Sequence, residues 1–264
     1  MDDTFIRFAN VDFHYGAAGS AATPILSGLD LTIRRGEFYV LLGPSGCGKT
    51  TALNLLAGFE QLSGGQLTVG GAPVVMPGMD RVMIFQGDDS LYGWLTAIEN
   101  IEFPLRMTGI SKAERRIRAN VWLERVGLGR HAAKFPHELS GGMKQRIQIA
   151  RALICDSQVL LMDEPFGALD AQTRSILQDE LATLSKHNGA TVLFITHDIA
   201  EAIILADRIG IMRAGPGSAV KEEITVETAR PRHRGSTDFA TLYDRIERSL
   251  SKEVQKVVQQ EALA

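Results

Sequence analysis

The chain has 264 residues, 45% of them hydrophobic and 22% charged, with a formal net charge of −3. That length and apolar content suffice for a sizeable core in one domain with a subdomain, which excludes disordered and fibrous classes. The charge leaves no basic surplus for nucleic acid or anionic lipid, the two cysteines are too few for a disulfide framework, and no apolar run approaches the ~18 residues of a membrane span.

The opening Met1-Asp2-Asp3-Thr4 lacks the positive charge of a signal peptide, so a reducing cytosol is the expected compartment and any membrane would be reached through a partner. Ile6, Phe8, Phe13 and Tyr15 sit in a strand-like stretch, and Leu29, Leu31 and Ile33 alternate with polar residues as in a half-buried strand. An antiparallel β layer is therefore expected first. Short uninterrupted apolar runs then recur at Phe38 to Leu42, Val82 to Phe85, Val159 to Met162 and Val192 to Ile195, the pattern of parallel strands buried on both faces. Between them, Thr50 to Ala57 reads as a helix closed by Gly58, and Ser111 to Val126 as one opened by Ser111 and Glu114 in capping-box spacing and closed at Gly127. Alternating strands and helices predict a three-layer α/β core. Residues from about 87 to 155 read mainly as helix and form an inserted helical subdomain; Gly215-Pro216-Gly217 interrupts the pattern, and 236–264 reads as a tail of one or two amphipathic helices behind a domain spanning 1–235.

Gly43-Pro44-Ser45-Gly46-Cys47-Gly48-Lys49-Thr50 follows an apolar strand and opens a helix, the context a phosphate-binding P-loop needs. Its glycines allow positive φ and close backbone approach, so successive N–H groups surround phosphate oxygens. Lys49 is placed to reach β and γ phosphates, the Thr50 hydroxyl to ligate Mg²⁺, and Thr51 to line the same helix start. Lys49 and the helix N-terminus also favour a thiolate at Cys47. Asp163 and Glu164 end the apolar run from Val159; such paired acids at a parallel strand's C-terminal edge suit a Mg²⁺ partner (Asp163) and a group polarising the attacking water (Glu164), although Asp-Glu-Pro alone is equally a helix start after a strand.

Ser140 is a helix cap, and Gly141 and Gly142 leave backbone N–H groups uncovered, so the chain carries a second anion-binding helix N-terminus. One γ-phosphate rarely needs two such sites in one chain. At Leu139-Ser140-Gly141-Gly142-Met143-Lys144-Gln145-Arg146 the sequence resembles the ABC (ATP-binding-cassette) ATPase family, whose Leu-Ser-Gly-Gly-Gln signature serves the nucleotide held by the opposite subunit. The resemblance implies a P-loop NTPase (RecA-like) core, ATP hydrolysis, and an ATP-sandwich dimer with a second copy. It matches Tyr15 to the aromatic that stacks on adenine, and Gln86 to the Q-loop residue touching Mg²⁺ and the lytic water. It matches Ala168-Leu169-Asp170 to the D-loop across the dimer interface, and His197 to the switch histidine on the γ-phosphate. Taken singly, Tyr15 is also readable as a core aromatic, Gln86 as a strand-end polar residue and His197 as a helix-start residue. Met143 stands where the signature has Gln, which costs a polar contact and leaves the N–H cradle.

A single cassette without a fused membrane segment resembles an importer ATPase that works with transmembrane permease subunits and, indirectly, a periplasmic or extracellular solute-binding protein, as a peripheral subunit on the cytoplasmic face of the membrane. The run from Pro77 to Gln86, Gly167 to Arg174, and Arg230-Pro231-Arg232 resemble the nitrate, sulfonate and taurine import group. A non-transport ABC ATPase acting on nucleic acid or ribosomes is the rival reading, and it calls for paired cassettes or a basic surface. Leu91-Tyr92-Gly93-Trp94 departs from the group's Leu-Leu-Pro-Trp. Tyr92 and Trp94 there are expected either to form a permease-facing groove or to pack within the subdomain.

Overall fold

A computed structural model describes residues 3–16, 23–87, 90–167 and 169–261. In chain order the elements are β1 (Thr4–Phe13), β2 (Leu26–Arg34), β3 (Phe38–Leu42), α1 (Lys49–Ala57), β4 (Gly64–Val69), β5 (Ala72–Pro73), β6 (Arg81–Ile84), α2 (Ala97–Arg106), α3 (Lys112–Arg125), α4 (Gly141–Leu153), β7 (Val159–Asp163), α5 (Ala171–Asn188), β8 (Thr191–Ile195), α6 (Ile199–Leu205), β9 (Arg208–Met212), β10 (Val220–Thr225) and α7 (Thr237–Glu261). Two sheets result, an antiparallel one in the order β2-β1-β4-β5 and a six-stranded one in the order β10-β9-β3-β8-β7-β6. In the larger sheet β9, β3, β8, β7 and β6 run parallel, and only the edge strand β10 is antiparallel.

The pleat of β3 explains why there are three layers. Phe38, Val40 and Leu42 point into one core with Val192, Phe194, Leu160 and Met162, and with residues of α2 to α6. Tyr39 and Leu41 point into the other, shared with α1 and the antiparallel sheet through Leu53, Leu56, Ile6 and Phe8. A strand buried on both faces has to be apolar at every position, which is why the run reads continuously. Phe194 lies 5.7 Å from both Phe38 and Phe166, and each fully buried ring contributes about 2–3 kcal/mol.

Two local expectations are altered. The Val82–Phe85 run is the sheet's edge strand, so Val82 and Met83 are only half-buried, and Phe85 falls outside β6 and stacks on Phe59 at 5.9 Å. At α3, Ser111 Oγ accepts from Glu114 N at 3.3 Å, but the Glu114 carboxylate takes Arg118 Nε at 2.8 Å instead of closing a capping box. The tail forms a single helix, α7, through Glu261. Three α-helices, α2 to α4, fill the segment between β6 and β7.

Candidate functional site

Parallel strands end their carbonyl edges on one side of a sheet, and loops leaving that side carry the chemistry in open α/β folds. Here β3 delivers the glycine-rich loop, β6 delivers Gln86, β7 delivers Asp163 and Glu164, and β8 delivers Thr196 and His197. Because the order is β3-β8-β7-β6, these four ends are neighbours.

The glycine-rich loop turns through two left-handed residues, Gly46 at φ +75° and Gly48 at φ +87°. A Cβ at Gly48 would strike Leu26 Cδ2 at 2.7 Å, so that position is closed to side chains twice over. Gly48 is also the N-cap of α1 and brings no side-chain acceptor to the first turn, leaving its N–H groups for an anion. Lys49 is buried under the loop, where its Nζ donates to the carbonyls of Gly43 and Pro44, each at 2.9 Å, and lies 3.8 Å from Cys47 Sγ. This holds the ammonium at the loop that Pro44, Ser45 and Gly46 complete. Thr51 follows, buried in the first turn of α1.

Cys47 is 1% exposed, and burial pushes its thiol up in spite of Lys49. The expected thiolate is therefore overturned: desolvation outweighs the neighbouring cation.

Thr50, in the first turn of α1, and Asp163, at the end of β7, together offer the hard oxygen donors that Mg²⁺ takes. Burial pushes the Asp163 carboxyl up from its ordinary value; the neighbouring Thr50 hydroxyl opposes this, Glu164 adds to it, and Lys49 opposes it. A cation beside this carboxylate would reverse the balance. Glu164 is held at φ +46°, a left-handed conformation that costs a non-glycine residue about 1 kcal/mol or more. Its N–H donates to Ile195 O at 3.0 Å, and its side chain is gripped on both sides. Gln86 Nε2 donates to Oε2 at 3.1 Å, and His197 Nδ1 lies 3.0 Å from Oε1. Two residues from the ends of β6 and β8 thus converge on the carboxylate at the end of β7.

Other site residues stand elsewhere. Tyr15 lies just beyond β1, 54% exposed, with its ring edge-on to Phe13 at 4.9 Å, which suits a stacking platform better than a core position. Ser140 caps α4, its Oγ accepting from Met143 N at 3.4 Å, with Gly141 and Gly142 in the first turn. α1 enters the core shared with the antiparallel sheet, and α4 enters the core on the other face of the larger sheet, so the two glycine-flanked helix starts lie in different layers of the fold. Ala168 lies outside the described residues; Leu169 and Asp170 precede α5, with Asp170 Oδ1 accepting from Thr173 N at 3.0 Å. Sequence reasoning missed Thr196 and Glu201, which buttress the His197 loop: Thr196 Oγ1 donates to Glu201 Oε2 at 2.7 Å. A carboxylate among the apolar residues just after the Asp198 cap was the available signal.

The chain matches the ABC transporter family profile over residues 26–167. It is 49% identical over 200 residues to the taurine import ATP-binding protein TauB of Chromobacterium violaceum, covering 76% of each chain. It is 43% identical over 232 residues to the bicarbonate transport ATP-binding protein CmpC of Synechococcus elongatus, 87% of this chain and 35% of that one. An uncharacterized ABC transporter ATP-binding protein of Methanocaldococcus jannaschii is 42% identical over 231 residues, 88% of this chain and 86% of that one. Among solved structures, the dimeric post-hydrolysis state of the ATP-binding cassette MJ0796 bound to ADP and Pi superposes with a TM-score of 0.75 at 32% identity, covering 85% of this chain and all of that one. The cbiO1 protein of Clostridium perfringens, part of the ABC transporter complex cbiONQ, gives 0.74 at 26% identity, covering 86% and 90%.

Proposed function

The chain belongs to the ATP-binding subunits of ABC transporters and is an ATPase of that family, and we propose that it powers uptake of a small solute as one of two identical subunits clasping ATP. The observation that carries this reading is the separation of the two anion-binding helix starts. The P-loop and the Gln86–Glu164–His197 cluster lie at one sheet edge, and the Ser140 cap lies on the helical body. A second copy facing the first would bring its Ser140-Gly141-Gly142 to the phosphate end of this copy's nucleotide, and the reverse.

In this reading residues 1–235 form the ATPase domain, with a helical subdomain at about 87–155, and 236–264 form a tail. Tyr15 stacks on the adenine ring, the N–H groups of the loop from Gly43 to Gly48 and Lys49 hold the phosphates, and Thr51 lines the α-phosphate side. Thr50 and Asp163 would hold Mg²⁺, with Gln86 at its rim, and the bound cation would neutralise charge building on the transferred phosphoryl group. Glu164, aimed by its left-handed backbone and gripped by Gln86 and His197, orients the attacking water and takes its proton, while His197 meets the γ-phosphate.

The solute class we favour is a small anion such as nitrate, a sulfonate or taurine, supported by the identity to TauB; the bicarbonate protein CmpC extends the same class. No helix among the described residues is long and apolar enough to cross a membrane, so the membrane work falls to permease subunits, with a solute-binding protein beyond them. The chain then sits peripherally on the cytoplasmic face. Trp94 is 73% exposed, and its ring lies 5.3 Å from Tyr92, which lines a cavity of about 320 Å³ between β6, α2 and α4; together they offer a place for a permease helix to dock.

Glu164→Gln keeps the carboxylate's shape and removes its basicity. It should bind ATP with wild-type affinity, hydrolyse it at least a hundredfold more slowly, and accumulate as an ATP-bound dimer in sedimentation at high protein concentration. Lys49→Ala should lose ATP affinity and stay monomeric. A Glu164→Gln chain that remains monomeric with saturating Mg-ATP, and closes in neither the isolated nor the permease-bound form, overturns the two-subunit reading.

A further inference from the structure

His197 reaches Glu164 from the loop between β8 and α6, and that loop is braced from outside. Asp198 caps α6, its Oδ1 accepting from Ala200 N at 2.7 Å and Glu201 N at 3.2 Å. Thr196 Oγ1 accepts from Asp198 N at 3.0 Å while donating to Glu201. Glu201 is 4% exposed and takes a second donor, Gln178 Nε2 of α5, at 3.2 Å. Burial pushes the Glu201 carboxyl up, and the Thr196 bond and Arg174 pull it back. Thr196 is thus tied to the buried Glu201 carboxylate, and Asp198 to Thr196 and to the first turn of α6.

The outside brace is Arg174, in the first turn of α5. Its Nη2 donates to Leu169 O at 3.0 Å, in the segment that leads into α5. Its Nη1 lies 3.8 Å from Asp198 Oδ2, and its Nε 3.8 Å from Glu201 Oε1. Nε has no hydrogen-bond acceptor among the described residues, so the guanidinium is hydrogen-bonded at Leu169 O and held only at ion-pair distance on the His197 side. A planar guanidinium reaches three acceptors set at fixed angles at once; an ammonium on a flexible stem does not.

We infer that Arg174 is a positioning residue that links the Leu169–Asp170 segment to the His197 loop, so that the placement of that segment sets how His197 meets Glu164. The inference rests on the two-subunit reading, in which that segment lies against the second copy. Closure of the dimer that shifts Leu169 O draws Arg174 with it. The 3.8 Å contacts to Asp198 and Glu201 have room to shorten to charge-assisted hydrogen bonds, fixing His197 only when the partner is in place.

A double-mutant cycle in the full-length chain tests this, with ATP turnover measured beside nucleotide affinity from a fluorescent ATP analogue. Arg174→Met should lower kcat about tenfold while leaving nucleotide Kd within about twofold, and Arg174→Lys should recover only part of the loss. In a His197→Ala background Arg174→Met should cost less than about twofold further, because the residue it positions is gone. An Arg174→Met chain with wild-type kcat overturns the inference. So does a full tenfold loss retained on top of His197→Ala, or a proportional fall in affinity and kcat. If Arg174→Met does not fold, Glu201→Gln, which keeps the Thr196 acceptor and removes the charge facing Arg174, runs through the same cycle with the same expectations. Glu164→Gln run alongside separates the two claims. If it dimerises on ATP while the Arg174 cycle is additive, the link fails and the sandwich stands. If it closes in neither the isolated nor the permease-bound form, both fall.

Discussion

At the scale of the residue, Cys47 shows how an environment inverts a local signal. A lysine two positions on and a helix N-terminus both favour the thiolate, yet the sulfur lies under the loop, almost fully buried, and the cost of desolvating an anion there exceeds the attraction of Lys49. Cys155 is pushed up to about 11 for the same reason, burial, with Arg151 opposing. Ellman's reagent at pH 7.5 should therefore react with the native chain at less than about a tenth of the rate of free cysteine, and with both thiols promptly once guanidinium unfolds it. Fast labelling of Cys47 in the folded chain would contradict the geometry. Glu164 is the opposite case: nothing in the residue type announces a left-handed φ of +46°, yet that backbone turn is what aims the carboxylate between Gln86 and His197.

At the scale of the element, α7 is attached by a buried charge as well as by its apolar stripe, in which Phe239 and Ile246 enter the core. Glu253, 0% exposed, accepts from Lys221 Nζ and Lys256 Nζ at 2.8 Å and from Ala214 N at 3.0 Å. Burial alone would push its carboxyl up, but the bonds from Lys221, Lys256 and Ala214 outweigh it and hold it at about 2. A folded-state value below the ordinary ~4.3 means that the stabilisation is present above the ordinary value and is lost as pH falls from ~5 toward ~2. Glu253→Gln should lower Tm by several degrees at pH 7, following the ~1–3 kcal/mol of a buried group left partly unpaired. It should also flatten the fall of Tm between pH 5 and pH 3. Calorimetric scans of both chains across that range decide it; parallel acid profiles would show that Glu253 carries no such linkage.

At the scale of the whole molecule, the proposed permease contact rests on exposed aromatic surface. Trp94 finds Tyr92 on one side and solvent on the other, while Tyr92 itself is fixed by Phe103 at 4.4 Å and by the Arg151 guanidinium 5.2 Å from its ring. Packing inside the helical body therefore accounts for Tyr92 and not for Trp94. Trp94→Ala should leave the fold, Tm and basal ATP turnover within about twofold of wild type. It should cut solute uptake by the assembled transporter at least tenfold, as loss of an exposed aromatic anchor does at other interfaces. Reconstituted vesicles assayed for uptake and hydrolysis in parallel separate coupling from catalysis, and unchanged uptake would remove the docking role.

Period and punctuation determined much of the fold by themselves. A strand buried on both faces must be apolar throughout, so Phe38 to Leu42, Val159 to Met162 and Val192 to Ile195 were readable, as were the glycines that end α1 and α3. The residue types of the glycine-rich loop and of the paired acids were readable for a similar reason: phosphate and cation chemistry allows few substitutes. Strand order was not readable, because which strand lies at an edge depends on pairings between residues far apart in sequence. That is why Val82 and Met83 carried the same apolar signal as a central strand yet came out half-buried. β9 and β10, with charges interspersed along β10, lacked any periodic signal strong enough to announce them. The convergence of Gln86, Glu164 and His197, and the reach of Arg174 from Leu169 to Asp198 and Glu201, were decided only by tertiary structure. Those side chains come from separate strand ends and helices, and only the β3-β8-β7-β6 order brings their chemistry to one edge.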